Sequence, residues 1–110
     1  MPADPAVFAA LGDPTRLALI ERIAQSPASI VDLTQGTLLT RQAVTKHLTV
    51  LQKAGLAHAT TLGRTRIWRL EPRPLSDAAA FMATLSRQWD IRLDRLRDHV
   101  ESDAAPTTTD

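Results

Sequence analysis

The chain has 110 residues, 44% of them apolar, with 13 basic and 12 acidic side chains. That fits one soluble globular domain with a modest core, spanning residues 1–103, for which burial shared in a dimer would help. The absence of cysteine excludes disulfides, thiolate metal sites and thiol redox chemistry. No apolar run reaches the length of a membrane span, and Met1-Pro2-Ala3-Asp4 does not have the form of a secretory leader, so the expected location is the cytoplasm with no membrane partner.

Net charge is only +1, which by itself points to no polyanion. Its distribution says more. Residues 41–73 hold Arg41, Lys46, Lys53, Arg64, Arg66, Arg69 and Arg73 against Glu71 alone, whereas both flanking regions are net acidic. Positive charge gathered in one third of the chain is the electrostatic footprint of a nucleic-acid-binding face.

In chain order, residues 5–11 form a short helical pattern with Val7, Phe8 and Leu11 apolar. Gly12 breaks it, and Asp13-Pro14 supplies an N-cap and a first helical residue. The next helix runs to about Gln25, with Leu17, Ile20 and Ala24 on one stripe and Leu19 and Ile23 beside it. Ser29 and Asp32 have capping-box spacing and open a third helix, with Ile30, Val31 and Leu33 available for packing. That helix ends near Gly36, and Thr37-Leu38-Leu39 is a turn.

Residues 40–56 read as the central helix. Thr40 can cap it and Gly55 can take the left-handed position that ends it. Val44, Leu48 and Leu51 form an apolar stripe. Gln42, Thr45, Lys46 and Thr49 recur on roughly the opposite side, a polar face without an acid. Amides, hydroxyls and cations suit base edges and phosphates in a DNA groove. Two helices joined by a short turn, the second polar outside, make a helix-turn-helix.

After Gly55, residues 56–62 and 65–70 are short β-type segments around a Gly63-Arg64 turn, a small ribbon with an arginine-bearing tip. Ile67 falls on one face, with Arg66, Trp68 and Leu70 on the other. Pro72 and Pro74 bracket the exit. From about Leu75 to Glu101 a helix carries an apolar stripe of about seven turns: Leu75, Ala78, Met82, Leu85, Trp89, Leu93, Leu96 and Val100. We read it as partly core and partly subunit interface, with residues 1–11 alongside. Residues 104–110 read as a disordered tail. The expected fold is therefore mainly α: a winged helix-turn-helix of about five helices with a two-stranded wing and a long C-terminal helix for dimerisation.

Three stretches carry a family resemblance. The run from Phe8 to Leu17 (FAALGDPTRL), that from Thr45 to Leu56 (TKHLTVLQKAGL), and Gly63-Arg64 before Trp68-Arg69-Leu70 together resemble the ArsR/SmtB family of bacterial winged-helix repressors. The match covers about residues 5–100. It implies a homodimer joined through its terminal helices, with residues 40–53 as recognition helix and residues 56–70 as wing. The implied function is repression at a near-palindromic operator by the protein's own promoter. The metal sites of the family are absent as patterned: Ser29 and Val31 stand where one site has cysteines. In the other, Asp90-Ile91-Arg92 lacks a histidine and Ser102 replaces an acid after His99. The sequence therefore resembles the branch lacking the usual metal-sensing sites, and neither a metal nor a cofactor is expected.

The candidate DNA contacts are Thr40, Arg41, Gln42, Thr45, Lys46, His47 and Thr49 on the central helix, and Arg64 and Arg66 on the wing. Arg41 opposes the helix dipole, a cost that a phosphate would offset. His47 lies between the two faces; it can donate to a phosphate or hydrogen-bond the neighbouring helix, and the second is preferred. Candidate dimer contacts are Phe8, Leu11, Met82, Leu85, Trp89, Leu93, Leu96 and Val100. Trp68 and Trp89 are read as packing anchors. Enzyme readings lack support: there is no Gly-rich phosphate loop, no cysteine nucleophile and no framed carboxylate pair. Two alternatives to DNA-binding repression stand beside it: a winged-helix module for a protein partner, and a repressor with a non-standard ligand or metal site, for instance around His99 with Asp98 and Glu101.

Overall fold

The protein is described by a computed structural model covering residues 3–104, with side chains to residue 102. Its elements are α1 (Pro5–Leu11), α2 (Pro14–Gln25), α3 (Ile30–Thr34), α4 (Arg41–Lys53), β1 (Ala57–Leu62), β2 (Thr65–Leu70) and α5 (Pro72–Ala104). This is the winged helix-turn-helix order. The chain divides after Ala78 into two compact units.

Local chemistry sets most of the boundaries in the first unit. Asp4 caps α1 through Ala6 N–H at 2.9 Å, and Asp13 caps α2 through Arg16 N–H at 3.0 Å, each followed by proline at the first helical position. Both halves of the Ser29–Asp32 capping box form, at 3.1 and 3.2 Å. Thr40 accepts from Ala43 N–H at 3.0 Å. At the far end of α4, Gly55 adopts φ +79°. Leu56 N–H then reaches Leu51 C=O and Gly55 N–H reaches Gln52 C=O, both at 2.9 Å. That is the Schellman arrangement, which needs a residue free of Cβ strain at its left-handed position. Leu51 and Leu56 are both fully buried, so the motif also points the chain into the core as it leaves the helix.

The core is built around α4. Val44, Leu48 and Leu51 are 0% exposed and join Leu19, Ile20 and Ile23 of α2, Leu33 of α3, Val7 and Ala10 of α1, and Trp68 of β2. Four such burials on one helix and its cap, Val44, Leu48, Leu51 and Leu56, matter because a fully buried aliphatic side chain contributes ~1.5–3 kcal/mol. On α2 the buried face is rotated from the expected one: Leu17 is 45% exposed and Ala24 also faces out, while Leu19 and Ile23 point inward with Ile20. Apolar residues spread around so much of that helix that spacing alone did not select the face α4 covers. On α3 only Leu33 is fully buried, and Val31 is exposed.

β1 and β2 pair antiparallel from Ala57↔Leu70 to Leu62↔Thr65, leaving Gly63-Arg64 as a two-residue loop. Gly63 has φ +65° and Arg64 does not have positive φ, as in the II′ turns that match strand twist. A third pairing was not expected. Ala28 exchanges both backbone hydrogen bonds with Trp68, at 3.1 and 2.8 Å, and ties the α2–α3 connection to the wing. Trp68 is 1% exposed, with the Arg66 guanidinium 5.2 Å from its ring centroid.

The last helix starts earlier than expected. Pro72 is its first residue and Pro74 lies in its first turn, where a missing N–H breaks no helical bond. It also ends later, at Ala104; residues 105–110, the rest of the expected tail, lie outside the described residues. Within the second unit the side chains of Met82, Leu85, Trp89, Leu93, Leu96 and Val100 are all exposed, Trp89 to 56%. Trp68 is thus a core anchor, and Trp89 is an open aromatic with the Arg92 guanidinium 5.8 Å from its ring centroid.

Candidate nucleic-acid interface

The outer face of α4 is the polar face read from the sequence. Thr40, Arg41, Gln42, Thr45 and Lys46 are exposed, and with Ala43 they line an open concavity of about 610 Å³ at the N-terminal half of the helix. Thr49 is half-buried, one turn further on. Arg41 and Gln42 are the first residues of α4, so their backbone N–H groups have no acceptor within the helix. No acidic residue lies in that first turn, and the dipole and open N–H groups there favour an anion.

The two threonines are used in a particular way. Thr45 Oγ1 donates to Arg41 C=O and Thr49 Oγ1 to Thr45 C=O, each at 2.8 Å. Their hydroxyl protons are therefore occupied within the helix, leaving acceptor lone pairs and a methyl group for anything outside. The uncommitted donors are the Gln42 amide, the Lys46 ammonium and the Arg41 guanidinium; none of the three has a partner among the described residues. An amide can form a bidentate pair with adenine, a cation can reach guanine or phosphate, and a methyl can meet the thymine methyl.

Arg64 sits exposed at the wing tip, also without a partner among the described residues. Arg66 is exposed but lies over Trp68, which limits its reach. Arg69 donates from Nε to Thr60 Oγ1 at 3.1 Å across the ribbon. The single acid of this basic region, Glu71, is at the opposite end of the ribbon from the tip and lies 3.6 Å from His58 Nδ1. Six residues of strand separate it from the tip by about 20 Å, so it does not neutralise Arg64.

His47 belongs to the inside edge of this surface. It is half-buried, with Nδ1 3.3 Å from Arg16 Nη1 and 3.9 Å from Asp13 Oδ2. Arg16 also donates from Nε to Ala10 C=O at 2.6 Å and from Nη2 to Ala9 C=O at 3.4 Å, covering the last carbonyls of α1. The Arg16 backbone N–H holds the Asp13 carboxyl below its ordinary 3.8; burial opposes this, while the Arg16 guanidinium and His47 add to it. The sequence showed Asp13 as a cap but not Arg16 as the partner of a residue 31 positions away. Its signal was the placement of an arginine three residues into a capped helix, one turn past the end of another.

Of the expected dimer contacts, Phe8 and Leu11 are half-buried against the core of the first unit, and those of α5 are exposed. Among the described residues, no three of His, Asp and Glu come together in a metal-binding group, around His99 or elsewhere.

Comparison with known proteins bears on the family rather than on individual contacts. A family model described as a helix-turn-helix domain matches residues 11–58, which hold α2, α3, α4 and the turn between them. The chain is 34% identical over 98 residues to the HTH-type transcriptional regulator Rv2034 of Mycobacterium tuberculosis, covering 89% of each chain. It is 30% identical to the solved structure of an ArsR-like transcriptional regulator from Rhodococcus sp. RHA1, with a TM-score of 0.72 and 91% of each chain covered. A third likeness shows the fold alone: the homodimeric winged helix-turn-helix DNA-binding domain of Mb0332 from Mycobacterium bovis, at 18% identity, TM-score 0.57, and 89% and 82% of the two chains. By these likenesses over nearly its whole length, the chain belongs to the ArsR family of winged helix-turn-helix DNA-binding transcriptional regulators, a family of regulators rather than enzymes.

Proposed function

We propose that the protein is a homodimeric repressor that reads a near-palindromic operator in its own promoter. The observation that carries this reading is the exposed face of α4, where Arg41, Gln42 and Lys46 keep their donors free on an acid-free surface. In this reading Gln42, Thr45 and Lys46 meet base edges in the major groove. Thr40, Arg41 and the open N–H groups of α4 hold a phosphate. Thr49 extends the contact, and Arg64, with Arg66 behind it, takes the flanking backbone or minor groove.

The second half of the proposal rests on α5. A 33-residue helix with six large apolar side chains exposed along one stripe is poorly matched to water. A second copy would cover it through Met82, Leu85, Trp89, Leu93, Leu96 and Val100, with Phe8 and Leu11 of α1 contributing their open edges. Two copies related by a two-fold axis would place two α4 helices about 34–36 Å apart, one turn of DNA, and so select a near-palindrome. Binding in the cytoplasm at such a site across the promoter would exclude polymerase.

A gel shift with the DNA just upstream of the gene tests this, run with and without zinc. Salt-sensitive retention of that DNA over unrelated DNA is expected, with zinc making no difference. Absence of retention would favour a protein-binding winged helix; release by zinc would favour a sensing site of another kind.

A further inference from the structure

We propose that Arg16 is a positioning residue for DNA reading: through neutral His47 it ties the recognition helix to the end of α1, and proton uptake by His47 releases that tie. The inference rests on the DNA-reading role of α4 and concerns how that role is controlled.

The geometry fixes the chemistry. A guanidinium has five N–H donors and no acceptor. With Arg16 Nη1 at 3.3 Å, His47 Nδ1 can join this bond only as its acceptor, which requires a neutral ring with its proton on Nε2. The same guanidinium donates to Ala10 C=O at 2.6 Å and Ala9 C=O at 3.4 Å. Those carbonyls close α1, the helix that carries Phe8 and Leu11. One side chain thus spans from α1 to the middle of α4. A proton on Nδ1 converts its bond into a donor–donor clash between two cations, and the imidazolium then has Asp13 Oδ2, now 3.9 Å away, as its partner.

The other ionisable groups on elements packed against α4 do not compete. α1 has none; on α2, Glu21 is exposed and Arg22 donates to Ser26; Asp32 of α3 is held by Ser29 N–H, and His58 of β1 by Glu71. On α4 itself Arg41, Lys46 and Lys53 are cations exposed to solvent, and none pairs with His47. Asp13 and Arg16 are the two groups His47 must choose between. Neutral, it is bound to the arginine, and α4 is held to the dimer-side helix. Protonated, it turns to Asp13, and the arginine link between the two helices is lost.

The test uses the full-length protein and a duplex selected with it from a random pool. Affinity for that duplex and for an unrelated duplex of equal length is measured at pH 8 and pH 6 at fixed salt. The wild-type ratio of the two affinities should fall about fivefold on acidification, the scale of one part-exposed hydrogen bond, while binding to the unrelated duplex does not weaken. His47→Ala should lose about the same ratio at pH 8 and show no further pH effect. His47→Asn places an acceptor near Nδ1 that does not titrate; it should restore most of the ratio and give a flat profile. Arg16→Gln should match His47→Ala, and the double variant should be no worse than either single one. Additive losses, an unchanged ratio in His47→Ala, or a pH effect that survives in the His47 variants would overturn the link. If Arg16→Gln melts below the assay temperature, the two His47 variants decide alone. A selection that enriches no sequence would overturn the DNA reading and this link with it, whereas enrichment with unaltered ratios overturns the link alone.

Discussion

Two helices of this protein carry apolar stripes of the same spacing and meet opposite fates. On α4, Val44, Leu48 and Leu51 are wholly buried within the first compact unit. On α5, Met82, Trp89, Leu93, Leu96 and Val100 are each more than half exposed. Periodicity identifies a face that wants covering; it does not say by what. The first stripe is covered by the chain's own α1, α2, α3 and wing, while the second stands exposed. On the proposed reading the labour divides: one unit presents a polar face to DNA, and the other an apolar one to a second copy.

Breaking the first stripe should have the largest effect. Leu48→Ala empties a fully buried position in the centre of the core and should cost about 2–5 kcal/mol, seen as a sharply lowered melting temperature with loss of all DNA binding. Breaking the second should separate folding from assembly. Leu93→Glu should leave helicity and melting of the first unit nearly unchanged while halving the mass in sedimentation. Affinity for the full operator should then fall about a hundredfold, the scale of lost bivalency. An unchanged mass would remove α5 from the interface.

The polar faces differ in a finer way. Arg64→Ala should weaken operator and random DNA alike and make the log–log salt slope shallower by about 0.9, as for one phosphate contact. The smallest effect is expected at Asp13. Its carboxyl sits below its ordinary 3.8 because the Arg16 N–H favours the charged form. Asp13 therefore contributes stability that is fully present above pH 3.8 and is lost as pH falls through the lower folded value. Asp13→Asn, still a good cap, should melt close to wild type at neutral pH but show less acid destabilisation between pH 4 and about pH 2.

The parts legible in the sequence were those set by local chemistry. Both faces of α4, its Thr40 cap, its Gly55 exit and the Gly63-Arg64 turn depend on residues within a few positions of one another. What escaped depends on tertiary choice. The buried side of α2 was misjudged because Leu17, Leu19, Ile20 and Ile23 give it more than one apolar face, and only the position of α4 selects among them. The Ala28–Trp68 pairing has one residue on one side, and alanine carries no strand signal. Pro72 and Pro74 were read as bracketing the exit from the ribbon, with the helix starting at about Leu75, although proline in a first helical turn is as good a start. In the candidate site, the exposure of Gln42, Thr45 and Lys46 was read correctly. The use of the threonine hydroxyls inside the helix was not, because it depends on rotamers. Arg16 was hidden for another reason: its side-chain partners belong to two other helices, α1 and α4.

The central claim is that the outer face of α4 reads bases. Competition binding by Gln42→Ala, against a selected operator and against the same duplex with single base-pair changes, tests it most directly. The predicted result is loss of discrimination at one position in each half-site, worth about 1–3 kcal/mol, with binding to random DNA unchanged. An equal loss of affinity for operator and random DNA, with discrimination intact at every position, would contradict it.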